Sequence, residues 1–291
     1  MVMVAACQIR IDIDDPDRTR QAVSREVRRA AGAGAEIVVL PELALTGSVF
    51  ASRSEALERA EDLNGPTATS LSRLAAKLGV VLVIGFCERE VGGAGPYNSA
   101  LVIDRGEILA VYRKTHLWGS EKLIFEPGSE LPPVVATSVG RIAVMICYDL
   151  ELPEMVRDVT LRGAQLVAVP ANWPVVPKPA SERPIEVTKA QAGAAANRVM
   201  IAVADRCGAE RGIDWFGSSV ICDVTGFPLA GPASGEPVTL LAALDLGQAD
   251  DKQLGPHNDA LTDLRLDLPF GKKYSNKNIP EFPETCLVCS H

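Results

Sequence analysis

Gly34-Ala-Glu-Ile-Val-Val-Leu-Pro-Glu42 returns later in the chain as Gly163-Ala-Gln-Leu-Val-Ala-Val-Pro-Ala171, and each follows an Arg-containing helical stretch. In both copies a glycine precedes an apolar run of strand length, and a proline closes it. A run without polar alternation is what a strand needs when both of its faces are covered. The runs around Val83 and Val144 have the same character. Strands covered on both faces imply a layered α/β architecture. The echo is open to two readings. It marks either two similar halves, with packed sheets related by a pseudo-twofold, or a helix–Gly–strand junction of the kind any α/β fold repeats.

Outward from that pair, short β-branched runs alternate with longer Ala- and Arg-rich stretches. The pattern predicts strands at 3–9, 37–40, 80–87, 99–104, 107–112, 141–146, 166–169, 200–205, 218–223 and 238–245. It predicts helices at 16–31, 54–60, 67–78, 153–162 and 184–197. No linker, charge run or low-complexity tract divides the chain, so one domain over residues 1–267 with a tail at 268–291 is expected.

The 291 residues carry 29 Lys and Arg against 37 Asp and Glu, a formal charge of −8, with a mean hydropathy of +0.13. An acidic chain without a basic run is a poor partner for nucleic acid or an anionic membrane. The N-terminal stretch has no basic residue before its apolar run and reads as a strand, and no run reaches the roughly 20 apolar residues of a membrane span. A cytoplasmic location is therefore expected, with reduced thiols. Seven scattered cysteines do not resemble a disulfide framework, and three histidines leave little room for His-based metal or base chemistry. No cofactor or metal is expected.

Several familiar motifs fail. Gly32-Ala-Gly34 precedes a strand instead of following one, so it cannot set a helix N-terminus on a pyrophosphate. Gly92-Gly93-Ala-Gly95 reads as a hairpin connection, and neither a phosphate-binding Lys loop nor a G-x-S-x-G elbow occurs. Cys286-x-x-Cys289-x-His291 leaves a zinc tetrahedron incomplete and reads as an ordinary tail.

One constellation survives. Arg141-Ile-Ala-Val-Met-Ile146 is a buried strand ending at Cys147, and Pro153 suits the first position of a helix. A cysteine at a sharp strand-to-helix turn projects outward beside backbone N–H groups, which suits a nucleophile with an oxyanion donor. Glu42 follows the strand at 37–40, and Lys114 ends another among bulky neighbours. Singly, a strand-end Glu or Lys is most often a solvated charge, and a strand-end Cys a packed one. Together they supply a base, an electrophilic stabiliser and a nucleophile.

These residues resemble the three motifs of the nitrilase superfamily of carbon–nitrogen hydrolases. Leu40-Pro-Glu42-Leu-Ala-Leu-Thr-Gly47 matches its Glu motif, Tyr112-Arg-Lys114-Thr-His-Leu117 its Lys motif, and Cys147-Tyr-Asp-Leu-Glu-Leu-Pro-Glu154 its Cys motif. The likeness extends over roughly residues 1–270, through Phe125-Glu-Pro-Gly128 and Gly217–Gly226. It implies a four-layer αββα sandwich with Cys147 as nucleophile and Glu42 as general base. By the same resemblance, Lys114 and the Tyr148 N–H hold the oxyanion, and Glu121 positions substrate. It also implies association into homodimers or larger homo-oligomers, with a tail from Leu268 that reaches a neighbour or folds on its own subunit.

Within the superfamily, Cys-Tyr-Asp resembles amidase-type members, whereas nitrilases usually carry Cys-Trp-Glu. Members acting on dicarboxylic monoamides often carry an Arg where this chain has Glu151. The resemblance therefore implies an amidase for a small or medium carboxamide, working through a thioester. A nitrilase, an N-carbamoyl amino acid amidohydrolase and an idle interaction module are the alternatives. Trp118, Tyr148, Asn172 and Trp173 are expected to wall the substrate pocket, although core packing would equally suit the tryptophans.

Overall fold

The computed structural model describes residues 1–90, 92–93 and 95–265. The first half runs β1 (Val2–Gln8), α1 (Pro16–Gly32), β2 (Ile37–Val39), α2 (Arg53–Arg59), α3 (Pro66–Leu78), β3 (Val81–Arg89), β4 (Pro96–Asp104), β5 (Glu107–Arg113) and the short α4 (Glu121–Ile124). The second runs β6 (Val134–Thr137), β7 (Gly140–Val144), a 3-10 turn (Cys147–Glu151), α5 (Pro153–Leu161), β8 (Leu166–Ala171), α6 (Ile185–Asn197) and β9 (Met200–Asp205). The hairpin β10 (Cys207–Glu210) and β11 (Ile213–Phe216) follows, then β12 (Val220–Cys222), β13 (Pro228–Ala230) and β14 (Val238–Leu244).

Local chemistry explains the helix ends. Asp15 accepts the Arg18 N–H at 3.0 Å and Pro16 opens α1, whose Thr19, Val23, Val27 and Ala30 form one buried stripe. Helix α3 likewise starts on Pro66 and stops at Gly79, which takes the left-handed conformation (φ 68°) that glycine adopts without a Cβ penalty.

Two six-stranded sheets form, in the orders β14-β1-β2-β3-β4-β5 and β13-β12-β9-β8-β7-β6. From β14 to β5 the successive pairings are antiparallel, parallel, parallel, antiparallel, antiparallel. From β6 to β13 they repeat in the same order. Strands β2 and β8, which hold the echoed sequences, occupy the same third position in this pattern. The echo thus marks two halves of like topology.

The apolar runs are continuous because alternate residues serve different layers. In β1, Val4 and Ala6 join the core with the second sheet, whereas Ala5 and Cys7 pack with Val23, Val27, Leu71 and Leu74 of α1 and α3. Strands β3 and β4 divide the same way, Val81, Val83, Ala100 and Val102 inward and Leu82, Ile84, Leu101 and Ile103 toward the helices. Val156 and Val159 of α5 and Val187, Ala190 and Ala194 of α6 cover the second sheet. Helix, sheet, sheet and helix make the expected αββα sandwich. Each fully buried Val, Leu or Ile contributes about 1.5–3 kcal/mol, so the central layers dominate the stabilisation.

The apolar pattern located the inner strands and missed β6, β10, β11 and β13, which are short, half-polar or at sheet edges. Gly92-Gly93-x-Gly95 does connect an antiparallel pair, β3 and β4. A compact unit spans Met1–Lys252, and a second begins at Gln253, with the small hairpin Gln253–Gly255 and Asn258–Asp259. Among the described residues, no helix is long and apolar enough to cross a membrane. The tail at 268–291, with Cys286, Cys289 and His291, lies outside the described residues.

Candidate active site

The ladder between β2 and β3 carries on to the Leu40 N–H, which donates to the Val83 carbonyl at 2.9 Å. Beyond it the chain turns sharply around Gly85, whose N–H reaches the Pro41 carbonyl and whose own carbonyl accepts from Ala44. Leu43 takes φ 47°, a left-handed value costly for a side-chain-bearing residue. A Cβ on Gly85 would lie 2.5 Å from Leu43 N and 2.6 Å from Glu42 Cα, so only glycine lets the backbones approach this closely. This elbow sets Glu42, 1% exposed, into the interior.

Lys114 follows β5 and is equally buried. Its N–H donates to the Asn98 carbonyl at 2.8 Å, and its own carbonyl accepts from Gly128 at 2.9 Å. Its Nζ donates to Glu42 Oε1 at 2.6 Å and Glu121 Oε2 at 2.8 Å. Asn98 Nδ2 lies 2.7 Å from the same Glu42 oxygen and 3.2 Å from Glu121 Oε1. One ammonium and one amide thus span both carboxylates.

The thiol comes from the other sheet. Past β7, Met145 N–H still donates to the Ala168 carbonyl; Cys147 then takes φ 48° and opens the 3-10 turn. A 3-10 turn, not the body of α5, therefore carries the nucleophile candidate. A non-glycine residue held in this region costs about 1–3 kcal/mol and persists only when its surroundings fix it. Asp149, completely buried, supplies that fixing. Its carboxylate accepts from Tyr112 Oη at 2.9 Å, Ile146 N at 3.2 Å and His116 N at 3.1 Å, and pairs with His116 Nδ1 at 2.8 Å. It ties the thiol's turn to the segment bearing Lys114.

Electrostatics follow from burial. Two carboxylates flank one ammonium, so burial, with Glu121 beside it, pushes Glu42 up to about 7 despite Lys114 and Asn98. Burial opposes the charge on Lys114, but the two glutamates outweigh it and hold its pKa well above the ordinary value. Burial and then Glu42 push the Cys147 thiol well up, with Lys114 pulling the other way. The resting site is a neutral thiol beside a firmly charged ammonium and a carboxyl group poised near neutrality. Cys7, Cys87 and Cys222 are also buried thiols, pushed up to about 12, but none has this company.

The expected pocket residues divide. Asn172 follows β8, and its carbonyl accepts from Cys147 Sγ at 3.7 Å; its side chain is buried. Trp173 is 1% exposed and its N–H donates to Asp205 at 2.9 Å. Trp118 is 50% exposed, leans on Tyr148 at 4.8 Å between ring centroids, and donates its N–H to Glu121 at 2.8 Å. Trp118 and Tyr148 are thus the more exposed pair, while Asn172 and Trp173 are buried. Sequence reading missed Gly85, Asn98 and Asp149. A polar Asn98-Ser99 pair beginning an apolar strand was the available signal for Asn98. A surface cavity of about 520 Å3 beside residues 9–14 shares no residue with this cluster, and its arginines include exposed pairs such as Arg211–Asp14.

Residues 3–252 match the carbon-nitrogen hydrolase family model. A nitrilase of Pyrococcus abyssi is 35% identical over 93% of this chain and 100% of its own length. An N-carbamoylputrescine amidase of Solanum tuberosum is 33% identical over 88% and 90%. Among solved structures, an amidase from Nesterenkonia sp. of the nitrilase superfamily superposes with a TM-score of 0.75 at 29% identity, covering 91% of this chain and 95% of that one. That enzyme has also been solved with acrylamide added to its active-site cysteine.

Proposed function

Because the chain belongs to the carbon–nitrogen hydrolase family, we propose that it is an amidase that converts a small or medium carboxamide to a carboxylic acid and ammonia. The observation that carries this reading is the buried Lys114, bridging Glu42 and Glu121 beside the Cys147 turn.

In the first step the Glu42 carboxylate takes the thiol proton as Sγ bonds to the amide carbon. The carbonyl electron pair moves onto oxygen, where Lys114 Nζ and the Tyr148 N–H stabilise it. Collapse expels the nitrogen, which takes the proton from Glu42 and leaves as ammonia, so a thioester remains. Water then attacks, its proton passing to Glu42. The second collapse breaks the S–C bond and returns that proton to sulfur. A base with a pKa near the working pH suits both transfers, and burial brings Glu42 there. Glu121, bridged to Glu42 by Lys114 and Asn98, holds the ammonium in place and orients the amide nitrogen. Trp118 and Tyr148 frame the entrance, and Asn172 and Trp173 meet the acyl group.

Ammonia release and intact-protein mass spectrometry test the proposal. Amides should yield ammonia and a transient acyl adduct on Cys147. Cys147→Ala should abolish both while the protein stays folded. Unchanged ammonia release in that variant would rule out the mechanism, and faster turnover of matched nitriles would make the protein a nitrilase instead.

A further inference from the structure

The carbonyl that faces the thiol belongs to a peptide plane held from its other end. Asn172 C=O and Trp173 N–H are the two ends of one trans peptide unit, so its planarity points them in opposite directions. The carbonyl oxygen accepts from Cys147 Sγ at 3.7 Å, and the N–H donates to Asp205 Oδ1 at 2.9 Å. This peptide lies one step past the β8–β9 ladder, whose last register pair is Ala171 with Asp205. The Asp205 side chain thus gives Trp173 the acceptor that a further strand residue would have supplied.

Asp205 is itself completely buried and fixed. Its Oδ2 accepts the Ser218 N–H at 2.9 Å, its own N–H donates to Ser219 Oγ at 2.9 Å, and Ser219 Oγ donates to Gln8 Oε1 at 2.8 Å. Gln8 closes β1, so this thread starts in the first sheet and ends at the sulfur carried by the second. A carboxylate that takes a peptide N–H is a charge-assisted acceptor, and it polarises the carbonyl at the far end into a better acceptor for the S–H. Rotation about the Cα–Cβ bond is the one freedom that places Sγ, and a held S–H removes it. We propose that Asp205 is a positioning residue: by fixing the 172–173 peptide plane it holds the Cys147 sulfur in the rotamer from which it attacks. No proton passes along the thread; the thiol proton still goes to Glu42. The attack it serves rests on the amidase reading, whereas the hold on the resting thiol rests on the geometry alone.

The test uses Asp205→Asn, whose single carbonyl oxygen cannot replace both carboxylate oxygens under Trp173 and Ser218. Ser219→Ala is the comparison, because it loosens the same buried network and leaves both carboxylate contacts in place. Burial pushes Asp205 up to about 8 against its N–H partners, so measurements are made at about pH 9, where the Cys147 thiol keeps its proton. Infrared difference spectra, each background minus its Cys147→Ala counterpart, isolate the Cys147 S–H stretch. The band should move to higher frequency in Asp205→Asn, as a released S–H does, and stay in place in Ser219→Ala. With saturating amide, kcat should fall about 10- to 100-fold in Asp205→Asn while KM changes less than about threefold. In Ser219→Ala, kcat should stay within about twofold of the parent. An unmoved band, an equal shift in both variants, or an Asp205→Asn kcat within about twofold of the parent would overturn the proposal. If Asp205→Asn does not fold, the Trp173 amide proton decides instead, read by selective 15N labelling of the three tryptophans. Cys147→Ala takes the S–H from the far end of the same peptide and should move that proton upfield; no upfield shift would overturn the hold. Failure of the amidase reading shows separately, as absence of ammonia release by the unsubstituted protein.

Discussion

Gly85→Ala isolates the backbone packing that aims Glu42. The new methyl would sit 2.5 Å from Leu43 N, 2.6 Å from Glu42 Cα and 2.8 Å from the Pro41 carbonyl, all backbone atoms unable to swing aside. Reaching an ordinary contact of 3.4 Å from 2.5 Å requires a displacement of about 0.9 Å, borne by the elbow or by β3. Strand β3 is fixed between β2 and β4, so the elbow should yield. Overpacking of this kind costs about 1–3 kcal/mol, and a misplacement near 1 Å of a reacting group costs about 100-fold in rate. The expected variant is folded, melts roughly 2–12 °C lower, and releases ammonia about two orders of magnitude more slowly. Initial rates by a coupled ammonia assay, with circular dichroism melting, read both effects. Gly32→Ala, with nothing within 4 Å of its Cβ position, is the control and should be neutral or slightly stabilising. A folded Gly85→Ala with a rate within twofold of the parent would refute the claim that this approach positions the base.

On the proposed mechanism Glu42 must be ionised to accept the thiol proton, and burial raises it to about 7, so kcat/KM should climb about tenfold per pH unit below that value and level off above it. In stopped assays across pH 5–9, Glu42→Gln should lose about 10²–10⁴ in rate and the acid limb with it; an acid limb that persists would assign the titration elsewhere. Asp149→Asn cannot satisfy all four contacts of the carboxylate, so it should lower both stability and kcat, whereas Tyr112→Phe should cost only about 1 kcal/mol; urea titrations beside acylation rates compare the two. Glu210→Gln leaves the Arg206 charge buried without its counterion and should destabilise by about 3–5 kcal/mol, read from the same titrations.

What was legible in the sequence follows from the physics of each signal. Strands β2, β3, β7 and β8 are covered on both faces, and that requirement writes itself as continuous apolar residues. Glu42 and Cys147 stood out because each ends such a run, Lys114 because it ends an edge strand among bulky neighbours, and three motifs in order made them a set. Asp149 lies within the Cys motif, yet its role depends on Tyr112 and His116, more than 30 positions away, and no local pattern records that pairing. Gly85 is a glycine inside an apolar strand, and its meaning appears only once the Glu42 elbow crosses it. Strand β6 and the β10–β11 hairpin escape because edge and half-exposed strands tolerate polar and small residues.

The matching sheets have a consequence for the newborn chain. Glu42, Lys114 and Glu121 all come from the first half, whereas Cys147 and Asn172 come from the second. A nascent chain in which only one sheet has formed would hold either a base with nothing to activate or a sulfhydryl with nothing to take its proton. On the proposed mechanism, reactivity would therefore switch on only when the halves dock, and the onset of catalytic activity would report completed assembly.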